Sequence, residues 1–432
     1  MGDVSTRLVS ASLQAKGIEA ISMPVATAMT LHHARNYASG KECVPSQLVL
    51  GGALQFMASP QYRKDEIYLL FVPITTGPCR TGQYFVFYEN LFKDLRIDNV
   101  VVFTLSADNS YGGLGTAFTK NFWYALVVGD YLKDVQTSLR TCAEDPVKAL
   151  EIYYDLQSKM LKEASRDMKN LIPYLKIMAK EFAKIQLKKT IEKVPRVLIV
   201  GEIYVRRDDF AVDEIVKHLS SRGIIAKVSG IAEWIHYTDF VKHYDMKKRF
   251  KLLPWWKKIF SKEFRKLIAF TIEEIWKHSV EKKVMDALKK TNLIPPHPHD
   301  MNKIMKKTTD NFLNLELNSE IAVSSGAAAT AMEESYSGVI NISPFACLIG
   351  RVIEGIYTPW ARERNYPTMS VEVDGNMLPP NIINKLNIFM LNVLRFRDIP
   401  NMSTLIETDG NEGIDLLRRD KNKEQELVDS VN

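Results

Sequence analysis

The sequence predicts an α/β protein with parallel sheets in two successive domains. Three observations predict it. Apolar, β-branched runs alternate with helix-patterned stretches. The alternation stops for a long helical interval and then resumes. A polar, Gly-rich loop stands directly after one of the predicted strands. Strands that alternate with helices pair in parallel through crossover helices. A chain of 432 residues has room for two or three such domains.

In order, residues 5–16 read as a helix stopped by Gly17. Residues 18–23 read as a short strand, and 24–39 as a helix closed by Gly40. Residues 44–57 keep the helical apolar period, with Gly51-Gly52 permitting close packing. Residues 66–75 (EIYLLFVPIT) and 99–105 are continuous apolar runs and read as buried strands, with a helix over 84–95 between them. The loop over 106–116 (SADNSYGGLGT) lies where sites form, beyond the carboxyl end of a strand, and offers Asn109, Tyr111 and Gly113. Its alternative is a plain connection. Residues 1–118 are thus a first α/β domain.

Residues 119–194 are helical with almost no Gly and read as a bridge, in which Asp145-Pro146 starts a new helix. Residues 196–205 (RVLIVGEIYV) read as one strand and 206–209 as its exit loop. A helix over 210–220 and a strand over 224–229 follow. No G-x-G-x-x-G follows the strand, so the dinucleotide fingerprint is missing. A helix over 321–335 begun by Ser324-Ser325-Gly326, a strand at 338–342, a helix at 348–364, a strand at 368–373 and a helix at 380–397 complete a second α/β domain over 195–398. Residues 399–432 are a polar tail.

Residues 234–293 interrupt the second domain with a helical, aromatic insertion. Residues 242–290 hold fifteen Lys/Arg against six Asp/Glu, a balance of +9 that exceeds the chain's net +6 and leaves the remainder at about −3. We read it as an insertion whose aromatics pack on the domain and whose cations are solvated. Docking to an acidic partner, a membrane surface or nucleic acid are the alternatives. The loop Pro295-Pro296-His297-Pro298-His299-Asp300 reads as a surface loop rather than a metal site. No apolar run reaches the roughly 18 residues of a membrane span. The first seven residues show no basic region before an apolar core, so the expected compartment is the cytoplasm.

The four cysteines are Cys43, Cys79, Cys142 and Cys347, and no two form a Cys-x-x-Cys pair. That argues against a disulfide framework, a zinc ribbon and a dithiol redox site. Cys43, Cys79 and Cys347 each stand beside Pro or Gly and each precedes a predicted helix. The N–H groups opening those helices are expected to lower the thiol pKa and favour thiolates. Three thiolates from three loops would make an iron–sulfur site with one iron open. Three buried core thiols are the alternative.

The residues around these cysteines carry a resemblance. Ser39-Gly40-Lys41-Glu42-Cys43-Val44-Pro45, Gly77-Pro78-Cys79-Arg80-Thr81-Gly82-Gln83-Tyr84, Val200-Gly201-Glu202-Ile203-Tyr204-Val205-Arg206 and Ser343-Pro344-Phe345-Ala346-Cys347 resemble, in order, motifs of the 2-hydroxyacyl-CoA dehydratase superfamily. The likeness is nearest to the dehydratase-like part of large CoA-substrate-specific activase-related proteins and runs over about residues 7–397. The resemblance implies two flavodoxin-like domains joined by helices, with the cluster site between them. It implies a [4Fe–4S] cluster on Cys43, Cys79 and Cys347, and a separate activator ATPase that carries its own cluster and injects electrons at low potential. An acyl-CoA or other small molecule is the implied substrate, and a homodimer the implied assembly. A double-cubane cluster needs more thiolates than this chain has. Cys142 matches no cysteine of the pattern and reads as structural. Where that family has a Gly-Glu-Ala stretch before its third cysteine, this chain has Ser325-Gly326-Ala327-Ala328. A carboxylate near the cluster is therefore expected to be missing, which puts dehydration chemistry in doubt.

Arg80 is expected to balance cluster charge. Glu42 is expected to cap the helix after it, with a place near the cluster as its alternative. No ATP-binding loop is present, so any ATP would be hydrolysed by another chain. The expected function is an iron–sulfur component of a low-potential reductase or dehydratase system. The alternatives are an electron-transfer or regulatory subunit without its own substrate, and a cluster-free binding module.

Overall fold

The computed structural model describes residues 3–74, 79–105, 114–254, 261–296, 300–317, 319–375 and 378–398. The chain is mixed α/β, as expected, with two separate parallel sheets among those residues.

Helix α1 (Asp3–Gln14) is followed by α2 (Ala28–Arg35), α3 (Val44–Met57), strand β1 (Tyr68–Pro73), α4 (Tyr84–Asp94) and β2 (Val100–Leu105). The two strands pair in parallel from Tyr68 opposite Val100 to Pro73 opposite Leu105. Leu70, Val72 and Val102 pack inward on Ala34, Leu50, Tyr84, Tyr88 and Phe92. The sheet is covered on one face only: Leu69 and Val101 are exposed, so strands that read as fully buried are half-buried. Residues 18–23 are not a strand: they pair with no strand among the described residues, and Ile18 and Ile21 stay exposed. The predicted helix over 24–39 shrinks to α2, whose start is fixed by a reciprocal Thr27–Thr30 capping box.

The helical interval forms α5 (Gly115–Cys142), α6 (Pro146–Arg166) and α7 (Leu171–Phe182). Asp145 caps α6 and Pro146 opens it, as the sequence predicts. α1 packs here rather than on the first sheet: Val4, Leu8 and Ala11 share a core with Val128, Leu132, Tyr153 and Met160.

The second sheet contains β3 (Arg196–Gly201), β4 (Ile225–Val228), β5 (Gly338–Pro344) and β6 (Thr368–Val373), all parallel, in the spatial order β4-β3-β5-β6. Between β3 and β4 run α8 (Ile203–Arg207) and α9 (Asp209–Ser221). Between β4 and β5 run α10 (Ile231–Lys251), α11 (Lys262–Leu288), α12 (Met301–Asn311) and α13 (Glu320–Glu333). The chain goes on with α14 (Leu348–Glu363) after β5 and α15 (Pro380–Asp398) after β6. One face of the sheet packs on α9 and α15 through Ile215, Leu219, Phe389 and Val393. The other packs on α12, α13 and α14 through Ile304, Ala327, Ile353 and Tyr357. Burial on both faces explains the uninterrupted apolar run of β3.

Two expectations fail at β3. The run over 196–205 is not one strand, and 206–209 is not a loop. Gly201, at φ +113°, ends the strand, and Glu202 starts α8. Helix α13 starts at Glu320, within one residue of the expected 321, and Ser319 rather than Ser324 caps it. The Ser319 side chain accepts from the Ile321 N–H, while Ser324, Ser325 and Gly326 lie buried inside the helix.

Buried ion pairs join α5 to the second sheet: Lys133–Asp209 at 2.6 Å, Arg207–Asp130 at 3.0 Å, and Lys227–Asp134. Asp130 also accepts from the N–H groups of Ile231 and Ala232 and so caps α10. At the other side, Leu31, Val44 and Leu48 pack with Tyr204 and Phe210, and Arg35 donates to the Asp374 carbonyl at 2.7 Å. The loops after the strands of the second sheet therefore face the start of α3.

Of the basic insertion, α10 and α11 form an antiparallel hairpin. Trp234 and Trp276 pack inward and Phe250 stacks on Phe264. Trp255, Trp256 and Phe260 lie outside the described residues, as do 75–78, most of the Gly-rich loop (106–113), His297 to His299 and the tail from 399 onward. Among the described residues, no helix is long and apolar enough to cross a membrane.

Candidate metal centre

Each of the three motif cysteines occupies the position before a helical turn. Cys43 precedes α3, with Pro45 in its first turn. Cys79 precedes a single 3-10 turn, Arg80–Gln83, that leads into α4. Cys347 precedes α14. In this position the backbone is extended, and the side chain lies beside N–H groups that have no partner within the helix. β1 delivers Cys79, and β5 delivers Cys347 at the carboxyl edge of the second sheet.

All three line one cavity of about 380 Å³, together with Pro45, Arg80, Tyr84, Glu202, Pro344, Leu348 and Ile349. Three loops separated by up to three hundred residues of sequence thus converge on one space. Their sulfurs do not all lie within 4.8 Å of one another. Thiolates on a single ion, at about 2.3 Å from it, would stand closer. The cysteines surround the space rather than meet at a point.

Tyr84 touches the Cys43 sulfur through its hydroxyl, and Thr81 Oγ1 lies 3.1 Å from the Cys79 sulfur. Arg80 donates to the Lys41 carbonyl at 2.7 Å, tying the Cys79 turn to the loop before Cys43. Glu42 turns away from the cavity. Its carboxylate accepts from Ser39 Oγ at 2.9 Å and the Gly40 N–H at 3.1 Å, so it braces the loop before α3 instead of capping the helix after it. Cys142 ends α5 and packs with Ile191, Val194 and Ile225, apart from the cavity.

The helix N–H groups lower the thiols as expected, but the expected net fall does not result, because burial outweighs them. Burial is the largest influence on each and pushes Cys43 and Cys79 up and Cys347 up to about 11. The N–H groups of Ser46, Thr81 and Gly350 pull the other way and are outweighed. A thiol in this setting ionises when a cation takes the proton's place.

Glu202, which the sequence reading passed over, lines the cavity. It begins α8, accepting from the N–H groups of Tyr204 at 3.1 Å and Val205 at 3.0 Å. Glu320, the first residue of α13, accepts from the Ile203 N–H at 2.9 Å. Two carboxyls thus serve three successive N–H groups of one short helix. Both are fully buried, and burial raises both; Glu320 is pushed up to about 8, first by burial and then by the charge of Glu202. The buried Arg206 opposes this, while it also donates to the Gly201 and Gly230 carbonyls and pairs with Glu233 at 3.4 Å. The expected lack of a carboxylate near the cysteines is therefore corrected. Glu202 supplies one from the end of β3, and the stretch before Cys347 is not its source. Its only signal in the sequence was the Gly201-Glu202 pair interrupting the apolar run of the clearest strand.

No family model, curated protein or solved structure matches this chain.

Proposed function

We propose that the chain is an iron–sulfur protein, a component of a low-potential reductase or dehydratase system of the 2-hydroxyacyl-CoA dehydratase type. One observation carries this reading: Cys43, Cys79 and Cys347 line a single cavity between three helix starts. The donor set fits a cluster better than a lone ion. Three thiols spread around a space suit a polynuclear centre whose irons take one thiolate each. When bound, such a cluster supplies a low-potential electron and one iron able to take an oxygen ligand.

The remaining roles belong to the chain. Cys43, Cys79 and Cys347 would hold the cluster, and Cys142 would not. Arg80 places a permanent cation at the cavity wall, which favours anionic thiolates and an electron-rich centre. Glu320, pushed up to about 8 by burial and by the charge of Glu202, favours holding a proton at neutral pH. Glu202, whose charge acts on Glu320 and which lines the cavity, is the carboxyl that would exchange a proton with a substrate that gains electrons. The second sheet, with strand order β4-β3-β5-β6 and helices on both faces, supports a flavodoxin-like reading of that half. A separate ATPase with its own cluster would deliver the electron, and an acyl-CoA or similar small molecule would receive it. A cytoplasmic homodimer is the assembly we propose.

Iron and acid-labile sulfide in protein made without oxygen test the reading. It predicts about four of each per chain. Protein that stays colourless and iron-free after anaerobic reconstitution overturns it.

A further inference from the structure

A second cluster of ligand-type side chains lies away from the cysteines, in the helical hairpin of the insertion. α10 and α11 are joined along an antiparallel seam by three polar pairs: His236–Glu281 at 3.1 Å, Asp239–Lys277 at 2.7 Å and His243–Glu274 at 2.9 Å. Their spacing, 236, 239 and 243 against 281, 277 and 274, keeps all of them on facing helix surfaces. The first pair differs from the others. His278, three residues before Glu281 on the same helix face, adds a second imidazole, with its Nδ1 3.8 Å from the same carboxylate oxygen.

One nitrogen from each histidine and one Glu281 oxygen all lie within 4.8 Å of one another, and among the described residues no other such group of three occurs. The two imidazole rings stack with centroids 4.5 Å apart and planes 6° from parallel. A single carboxylate thus serves two imidazoles. As a proton partner it can neutralise one of them. A divalent cation would engage all three groups together.

The positions are fixed from outside. Trp123 of α5 meets the His236 ring edge-on at 5.2 Å, and its indole N–H donates to the Lys277 carbonyl at 3.1 Å. The buried Asp239–Lys277 pair sets the register one turn along. His236 and Glu281 are largely buried, with side chains 10% and 14% exposed, while His278 is 60% exposed and can tilt toward an ion at little cost. Two imidazoles and a carboxylate are a zinc-type ligand set, which leaves a fourth position to water.

We propose that His236, His278 and Glu281 form a site for one zinc-class divalent cation that clips α10 to α11. The site is independent of the cysteine cavity and of the function proposed for it.

Cobalt titration of the metal-free full chain tests it, with wild type, His278→Ala and Glu281→Gln compared in parallel. Cobalt taken up by thiolates gives near-ultraviolet charge-transfer bands and is common to all three proteins, so the difference between titrations isolates the histidine site. Wild type should bind one further equivalent, without sulfur bands, and that equivalent should weaken in His278→Ala by more than the roughly 10–100-fold that losing an outer-shell partner alone costs. Because His278 is mostly exposed, its removal leaves the fold intact, and matching circular dichroism checks this. Equal stoichiometry and affinity in wild type and His278→Ala overturn the proposal, whatever Glu281→Gln does.

Discussion

Replacing Glu320 by Gln isolates the carboxyl pair beside the cysteine cavity. In the folded chain Glu320 is fully buried and faces Glu202, which moves it from an ordinary 4.5 to about 8. A carboxyl raised in this way contributes stability that is fully present below about pH 4.5. That stability fades as pH rises and is lost above about pH 8, because the folded state then carries an anion that the unfolded chain solvates freely. At about 1.4 kcal/mol per pH unit, the interval amounts to at most about 5 kcal/mol. Glu202 shares the same proton, so part of this belongs to the pair. The glutamine keeps a carbonyl oxygen for the Ile203 N–H and cannot ionise. Urea unfolding of metal-free wild type and Glu320→Gln at pH 5, 7 and 9 measures the effect. At pH 5 the two should agree within about 1 kcal/mol, and at pH 9 the variant should be more stable by about 2–5 kcal/mol. Parallel curves for the two proteins, or a variant less stable at pH 9, would refute a buried, proton-holding pair.

Three further substitutions probe the ligands and the frame. Cys79→Ser should abolish the iron content of anaerobically made protein, whereas Cys142→Ser, away from the cavity, should leave it unchanged; equal iron in the two variants contradicts the assignment of ligands. Gly201→Ala should cost more than about 3 kcal/mol in urea unfolding, because the site has φ +113° and the new methyl would meet the Ile342 carbonyl oxygen at 2.0 Å. A loss under about 0.5 kcal/mol would show that the sharp turn from β3 into α8 is not fixed as described.

The second sheet was legible because β3, β4 and β5 are buried on both faces, while β6 alternates buried and half-buried residues. β3 could be recognised from Val197 to Val200 alone. Its end could not. Ile203, Tyr204 and Val205 are as strand-prone as the residues before them, and only the positive φ of Gly201 and the capping carboxylate of Glu202 turn the chain into a helix. Residues 18–23 show the opposite error. Their composition suits a strand, but strand formation needs a neighbour to pair with, and local pattern cannot report one.

At the cysteine cavity, the sequence marked the residues and missed their electrostatics. Each cysteine could be placed before a helix from the adjacent Pro and Gly. The direction of the thiol shift depends on how deeply three distant loops bury one another, which no single stretch encodes. Glu320 illustrates the same limit. It lies 118 residues from Glu202 in sequence, and its raised proton affinity comes first from burial and then from the charge of that distant carboxylate.

Anomalous diffraction at the iron edge, from crystals of protein prepared without oxygen, tests the central claim most directly. The account predicts iron density inside the cavity walled by Cys43, Cys79, Cys347, Arg80, Tyr84 and Glu202, and none beside Cys142. A cavity without iron, or iron held only at His236, His278 and Glu281, would contradict it.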